Sequence, residues 1–336
     1  PTKVSDLKEG DFVVCPKKIP NAEKLILKID LLDEFMQVND RNIYLRGIND
    51  QFLFNLLKDI SEEQTWLKDK VKNWKRHQTL PLYAINKLTD AFDIRGFNIG
   101  DAKIGIYSSN NEFPLEISID KDLCKLLGYY TAEGTSTNDI VLFSFGEHER
   151  NYIDEVKLLV KKIFNVNARE EKAHKSGIQL SINSKLMNLL FTQILKAGRN
   201  AREKRVPNIV YSLPKELKLA YLKTYIQGDG SSLVKKRENM NRPQVNISTT
   251  SVNKWLTNDI ITLYSQLGMH ANYQEAFIDE HLIKKTGQMI KGSLSTRANV
   301  TNPDTALELG YIDELPKNNG KGAIENFIPA PIKYKK

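Results

Sequence analysis

Two carboxylates in this 336-residue chain close the same short pattern. The first copy is Leu126-Leu127-Gly128-Tyr129-Tyr130-Thr131-Ala132-Glu133-Gly134, and the second is Leu222-Lys223-Thr224-Tyr225-Ile226-Gln227-Gly228-Asp229-Gly230. Each is an apolar run that ends in a small residue, one acid and a glycine. Upstream, Leu123, Leu126, Leu127 and Tyr130 in one copy, and Leu219, Leu222 and Ile226 in the other, recur at helical spacing. A glycine after the last periodic residue predicts a helix stop in the left-handed conformation. Glu133 and Asp229 are therefore expected at helix C-termini, where the dipole does nothing for an anion. Two such ends side by side bring like charges together. They then need a proton or a cation, and oxygen donors suit hard divalent ions such as Mg²⁺. One copy alone is equally compatible with a buried helix capped by glycine and carrying an exposed acid. The repetition favours the paired arrangement.

The elements that would position the acids also repeat. After the first copy come a β pattern at Ile140–Phe145, a helix marked by Ile153, Val156, Val160 and Ile163, and strands around Ala168-Arg169-Glu170 and Ile178–Ile182. After the second come a strand at Val245–Thr249, a helix marked by Leu256, Ile260, Leu263 and Leu267, and a strand from Ala271-Asn272-Tyr273-Gln274. Each half reads as helix, strands, helix, strands, helix.

Together with Lys204-Arg205-Val206-Pro207 and Ala220-Tyr221-Leu222, these motifs resemble the paired LAGLIDADG (DOD) motifs of homing endonucleases. They are most similar to the endonuclease region of archaeal DNA-polymerase inteins, from about Leu115 onward. The resemblance implies an α+β fold of two pseudo-twofold αββαββα half-domains, joined at a two-helix interface and forming a DNA-binding saddle, with an N-terminal helical and Hint-remnant accessory region. The implied divisions are a Hint-like β remnant at 1–20, an accessory DNA-recognition region at 21–114, and half-domains at 115–212 and 213–336. Gly128 and Ala132 in one motif helix, and Ala220, Thr224 and Gly228 in the other, would permit close packing.

The implied reaction is hydrolysis of both strands of a long, pseudo-palindromic double-stranded DNA target, leaving short 3′ overhangs. The chain would act as a monomer with Mg²⁺, for which Mn²⁺ can substitute. Glu133 and Asp229 are the implied metal ligands and catalytic acids. Divalent ions held by carboxylates supply the nucleophilic water, charge neutralisation and leaving-group help that in-line displacement requires. Lys204 matches the family's lysine before a proline. Its counterpart, expected ahead of Phe327-Ile328-Pro329, is assigned to Lys321, with Lys317 and Lys291 as competitors. Gln227 and Gly228 are placed to orient a metal-bound water through their main chain. The rival implication is a related DNA- or RNA-binding protein, a regulator or maturase, that has lost cleavage.

Polar strand faces suit groove reading. The candidates are Asn138–Phe145, Gln179–Asn183, Ser231–Arg242 and Gln244–Thr249. Lys235, Lys236, Arg237 and Arg242 crowd one of them, and Arg199, Arg202 and Arg205 form a second basic group. A third is Trp66–His77, where Lys72, Lys75 and Arg76 alternate with tryptophans on a predicted helix; it serves equally as a solvated amphipathic helix with its aromatics inward. Leu25, Leu27, Ile29 and Leu31 alternate like a strand, and Phe52, Leu53, Leu56 and Leu57 have helical spacing. Leu82–Leu88 and Phe92–Gly96 suggest two short helices around a turn, and 104–114 a linker. Phe12–Pro16 reads as an edge strand. The opening Leu-x-x-Gly-Asp-x-Val run resembles a piece of the intein splicing domain, whose terminal nucleophile and His-Asn are not matched by Pro1 or Tyr334-Lys335-Lys336.

Composition agrees without deciding. The net charge of +8 and pI of about 9.1 suit a polyanionic partner. Two isolated cysteines, Cys15 and Cys124, argue against a disulfide framework or zinc site and fit a reducing, intracellular, cytoplasmic setting. No apolar run reaches the roughly 18 residues of a membrane span.

Overall fold

The chain divides into one unit of Ile26–Asn200 and another of Pro1–Leu25 with Ala201–Lys336. The computed structural model describes residues 4–6, 8, 12–16, 18–20, 27–48, 51, 68–88, 101–107, 109–173, 177–235, 244–283, 288–290, 292–313 and 327–331. Strand β1 (Phe12–Pro16), the expected edge strand, belongs to the second unit.

The first unit opens with β2 (Lys28–Asp30), α1 (Leu31–Met36) and β3 (Ile43–Arg46). The alternation through Leu31 stops at Asp30, whose carboxylate caps α1 by accepting from Asp33 N at 3.0 Å. The helix then buries Leu31, Leu32 and Phe35. Next come α2 (Lys68–His77), β4 (Thr79–Pro81), α3 (Leu82–Leu88), β5 (Lys103–Ile106), β6 (Glu112–Phe113) and β7 (Glu116–Ser118). Strand β2 pairs with β7, and an antiparallel sheet runs β4-β3-β5-β6. This corrects the expected linker at 104–114. Ile104, Ile106 and Phe113 are buried, and β5 and β6 are paired strands. Strands of four and two residues, one of them holding Gly105, are too short for alternation to reveal the hairpin. Of the two short helices expected around a turn, α3 is present and Phe92–Gly96 lies outside the described residues, as do Leu25, Trp66 and Phe52–Leu57. In α2, Trp74 is buried while Lys72, Lys75 and Arg76 are exposed, the split expected of an amphipathic helix.

The first repeat follows as α4 (Lys121–Glu133), β8 (Gly134–Thr137), β9 (Ile140–Gly146), α5 (Arg150–Phe164), β10 (Arg169–Lys172), β11 (Gly177–Asn183) and α6 (Lys185–Leu189). A π-helical turn, Leu190–Ile194, extends α6. In the other unit the second repeat is α7 (Lys215–Asp229), β12 (Gly230–Lys235), β13 (Gln244–Ser251), α8 (Lys254–Gln266), β14 (Asn272–Ile278), a hairpin of β15 (His281–Ile283) and β16 (Gln288–Ile290), β17 (Ser293–Val300) and α9 (Pro303–Glu308). Strand β18 (Phe327–Pro331) then pairs antiparallel with β1.

The four-stranded sheets of the two repeats run β8-β9-β11-β10 and β12-β13-β17-β14. Both are antiparallel with strands in the order first, second, fourth, third. The duplicated α+β architecture is thus present, with the β15–β16 hairpin added to the second copy. Alternation builds each sheet: Val141, Phe143 and Phe145 of β9 point inward and Ser144 outward. Helix α5 buries Ile153, Val156, Leu159, Val160 and Phe164 and packs against α4, whereas α8, burying Leu256, Ile260 and Leu263, lies against the second sheet. Each such side chain contributes about 1.5–3 kcal/mol over leaving it in water.

Candidate active site

Helix α4 runs into β8, and α7 into β12, with no residue between. Glu133 and Asp229 are the last helical residues; Gly134 and Gly230 are the first of the strands. The expected left-handed glycines are corrected here. Gly134 has φ −79° and ψ 151°, and Gly230 has φ −101° and ψ 162°, extended values open to any residue. Space is what demands glycine. Each glycine N–H still bonds to the carbonyl four residues back, Tyr130 O or Ile226 O. A Cβ on Gly134 would stand 2.5 Å from Tyr130 O; one on Gly230 would run into Ile226 O and come 2.7 Å from its Cγ2. The direct turn from helix to strand clamps each acid between two regular elements.

In the second copy, dense protein around the Asp229 carboxyl raises its pKa to about 7, and Lys204 pulls it the other way. By surface area the residue is exposed. Water reaching the carboxyl opposes part of the rise. Lys204 is only 2% exposed, one of the largest side chains so enclosed. Its segment is pinned on both sides. Asn253 Nδ2 donates to Lys204 O at 2.7 Å. Arg205 donates to both oxygens of Asp259, from Nε at 2.5 Å and Nη2 at 2.9 Å, and Val206 N adds a third bond at 3.2 Å. Tyr211 also bonds Asp259, and burial and this anion push its phenol up. Asp259, 8% exposed, thus fixes the path of the irregular segment that carries Lys204.

In the first copy Glu133 is half-buried. Tyr130 Oη, from the preceding turn of α4, donates to Gly198 O at 2.7 Å and lies 2.7 Å from Ser136 Oγ. Ser136 N donates to Arg199 O at 2.8 Å, which ties Arg199 to the strand three residues beyond Glu133. Arg199 itself is exposed.

The structure therefore brings Asp229 and Lys204 together in one unit, and in the other ties the backbone of Arg199 to the strand that follows Glu133. Arg205 is committed to Asp259. Arg202 is exposed, and Lys72, Lys75 and Arg76 line the outer face of α2. Lys235 ends β12, while Lys236, Arg237, Arg242 and Lys321 lie outside the described residues. Sequence reasoning missed Asp259 and Asn253. The available signal was an acid inside the apolar stripe Leu256, Ile260, Leu263, since a buried carboxylate demands partners. It also missed Tyr225, whose buried phenol is bonded by Thr249 and held above its usual pKa by burial and by Asp229.

Among the described residues no three His, Cys, Asp or Glu side chains cluster as a closed metal cage. A hard divalent ion needs no such cage; Mg²⁺ is commonly held by one or two carboxylates with water and substrate phosphate completing the shell. Asp229 fits that description: a water-reachable carboxyl whose surroundings disfavour its bare charge.

The fold and these two ends define a duplicated α+β protein with a carboxylate at the end of each repeat's first helix. No family model matches the chain. It is similar to the DNA polymerase II large subunit of Thermococcus kodakarensis, with 29% identity over 277 residues, 80% of this chain and 14% of that one. An uncharacterized Methanocaldococcus jannaschii protein shows 28% identity over 287 residues, 81% of this chain and 30% of that one. The chain thus spans less than a third of the length of either relative. Among solved structures it is similar to mesophilic variants of the homing endonuclease I-DmoI, with TM-score 0.38 and 14% identity, covering 58% of this chain and 96% of that one. No described helix is long and apolar enough to cross a membrane.

Proposed function

We propose that the chain is a divalent-metal-dependent, site-specific endonuclease of the LAGLIDADG class acting on double-stranded DNA. The observation that carries this reading is Asp229, clamped at a helix–strand junction with a raised carboxyl pKa beside the buried Lys204. The repeated junction at Glu133 supplies one acid per unit. A bound divalent ion would supply an activated water and neutralise charge on the phosphate.

The chain's own residues would divide the remaining work. Asp229 and Glu133 hold the ions. Lys204, fixed by Asn253 and by the Arg205–Asp259 pair, presents a positive charge to the developing anion. Lys321 takes that part for the other strand. Arg199, Arg202 and the α2 residues Lys72, Lys75 and Arg76 neutralise backbone phosphates, as do Lys235, Lys236, Arg237 and Arg242; Arg205 does so only through the donors that Asp259 leaves unused. The finer proposals are Mg²⁺ as the ion, short 3′ overhangs, a pseudo-palindromic target, a monomer, an intein origin, a cytoplasmic location and the four-part division of the chain. The similarity to a small portion of an archaeal polymerase agrees with a segment carried within a longer chain.

Cleavage of a randomised duplex library with Mg²⁺, compared between the parent and Asp229→Asn, tests the reading. Specific cuts that vanish in the variant support it. Selective retention of DNA without cuts, unchanged by the substitution, would replace it with a binding protein that does not cleave.

A further inference from the structure

The accessory part of the first unit holds a cleft that the acids do not explain. It has a volume of about 520 Å³ and lies between α2 and the β4-β3-β5-β6 sheet. Its walls include Tyr44, Arg46, Asn73, Trp74, His77 and Tyr107. That volume lies within the range of about 300–1,000 Å³ common for small-molecule sites.

Three of those side chains are tyrosine or tryptophan. Tyr44 and Tyr107 face each other with ring centroids 5.7 Å apart and planes tilted by 41°. Tyr107 is 76% exposed, so a large ring is held in water at the mouth of the cleft, while Trp74 is buried behind it. Arg46 is braced in the wall: Nη1 donates to Glu112 Oε1 at 3.3 Å, and Nη2 donates to Ile106 O. Gly105 makes room for it, since a Cβ there would stand 2.7 Å from Arg46 Nε. Asn73 supplies an amide with both donors and an acceptor. On the same helix Lys72, Lys75, Arg76 and His77 are exposed, so the approach is basic, and Glu112 is taken up by Arg46.

Aromatic faces, an amide and a cationic rim together match one ligand chemistry. Bases stack on aromatic rings, amides bond base edges, and lysine or arginine neutralises the adjoining phosphates. An apolar ligand would leave Asn73 and the basic face of α2 without use, and a simple anion would leave Tyr107 without use. We propose that this cleft is a subsite for an unpaired nucleotide, the base stacking against Tyr107 and Tyr44 and the flanking phosphates lying along α2. The site is separate from the two acids and stands whether or not the chain cuts DNA.

The test is titration of the intact chain with a thymidylate tetranucleotide and, separately, with a fully paired blunt duplex, each followed by calorimetry. Tyr107→Ala is expected to weaken tetranucleotide binding roughly tenfold or more. Tyr107→Phe should keep it, and duplex binding should be unchanged by either. Tyr107 is so exposed that its removal should leave folding intact, which thermal melting verifies. Three outcomes would overturn the proposal: no binding of the tetranucleotide, binding indifferent to both Tyr107→Ala and Asn73→Ala, or binding lost only on charge reversal at Lys72 and Arg76. The last would mean phosphate attraction without a base site.

Discussion

The two helix–strand junctions use one backbone device in two different surroundings. Tyr129 and Tyr225 each stand four residues before the acid. Tyr129 Oη donates to Glu155 at 2.6 Å, and Lys125 adds a bond to the same carboxylate at 2.8 Å, so that phenol is spent on α5. Tyr225 lies near enough to Asp229 for the anion to raise its phenol. One residue later, Tyr130 holds Ser136 and Gly198, while its counterpart Ile226 has no hydroxyl to offer. The close contact of each glycine with the carbonyl four residues back is common to both. The polar groups around the junction are not. A backbone turn is fixed by steric exclusion that any substitution violates, whereas polar surroundings can diverge wherever each stays internally satisfied.

The largest expected effect concerns whether the two acids are equivalent in use. Asp229→Asn and Glu133→Gln should each lower cleavage by about 10²–10³, the loss typical of removing one fixed charge stabiliser at a reacting phosphate or carbonyl. Nicking assays on supercoiled DNA sharpen the comparison. Equivalent acids give loss of both strands' cleavage in either variant; divergent ones leave nicks in one strand. Full double-strand cutting by Asp229→Asn would break the idea that this junction is catalytic.

The shared steric device comes next. Gly134→Ala and Gly230→Ala should each cost about 2 kcal/mol, because the added Cβ meets, besides a side chain, a backbone oxygen that cannot swing aside. Urea unfolding midpoints measure it. The contact at Gly230 is tighter, so its variant should be the less stable of the two. A loss below a few tenths of a kcal/mol in both would show that the junction relaxes and that space does not select glycine.

Tyr130→Phe probes what is peculiar to the first copy. It leaves Ser136 Oγ and Gly198 O short of a partner, with Ser136 only 5% exposed, and should cost about 1–2 kcal/mol. Adding Ser136→Ala should recover part of that, since one orphaned hydroxyl is then gone. No recovery in the double variant would mean that Tyr130 acts through Gly198 alone.

These contrasts also mark how far the sequence could be followed. The order of elements was legible because Ile140–Phe145 and Ile153–Ile163 keep their periods, and the second copy repeats them. The positions of both acids followed from the glycines, though the reason for glycine did not: a collision with an oxygen four residues back depends on the strand's direction, and no spacing records that. In the basic run Arg199–Arg205 the sequence set Lys204 apart as a catalytic candidate and left Arg199, Arg202 and Arg205 as one phosphate-binding group. The structure sorts the run into exposed Arg199 and Arg202, enclosed Lys204 and ion-paired Arg205. That sorting is made by Asn253 and Asp259, about fifty residues away, so local pattern had no access to it. The strands at 103–106 and 112–113 were lost for a simpler reason, being too short for alternation to show.

The smallest effect is a pH dependence that only the second junction offers. The Asp229 carboxyl titrates near 7 in the folded chain, against an ordinary 3.8. Between those values the native state holds a proton that the unfolded chain has released, so stability falls as pH rises from about 4 to about 7 and is level beyond. Below 3.8 both states are protonated and the penalty is absent. Because water reaches the carboxyl, the loss should be roughly 1 kcal/mol rather than the full shift. Chelator-treated protein unfolded in urea at pH 5 and pH 8 measures it. Asp229→Asn should remove this part of the decline. Lys204→Met should deepen it, because Lys204 now holds the carboxyl down. A divalent ion should offset the penalty, and more at pH 8 than at pH 5, since it competes with the proton for the same oxygens. Parallel pH profiles for the parent and Asp229→Asn would show that the carboxyl is solvated like any surface acid. The contrast between the junctions would then rest on Lys204 and Tyr225 alone.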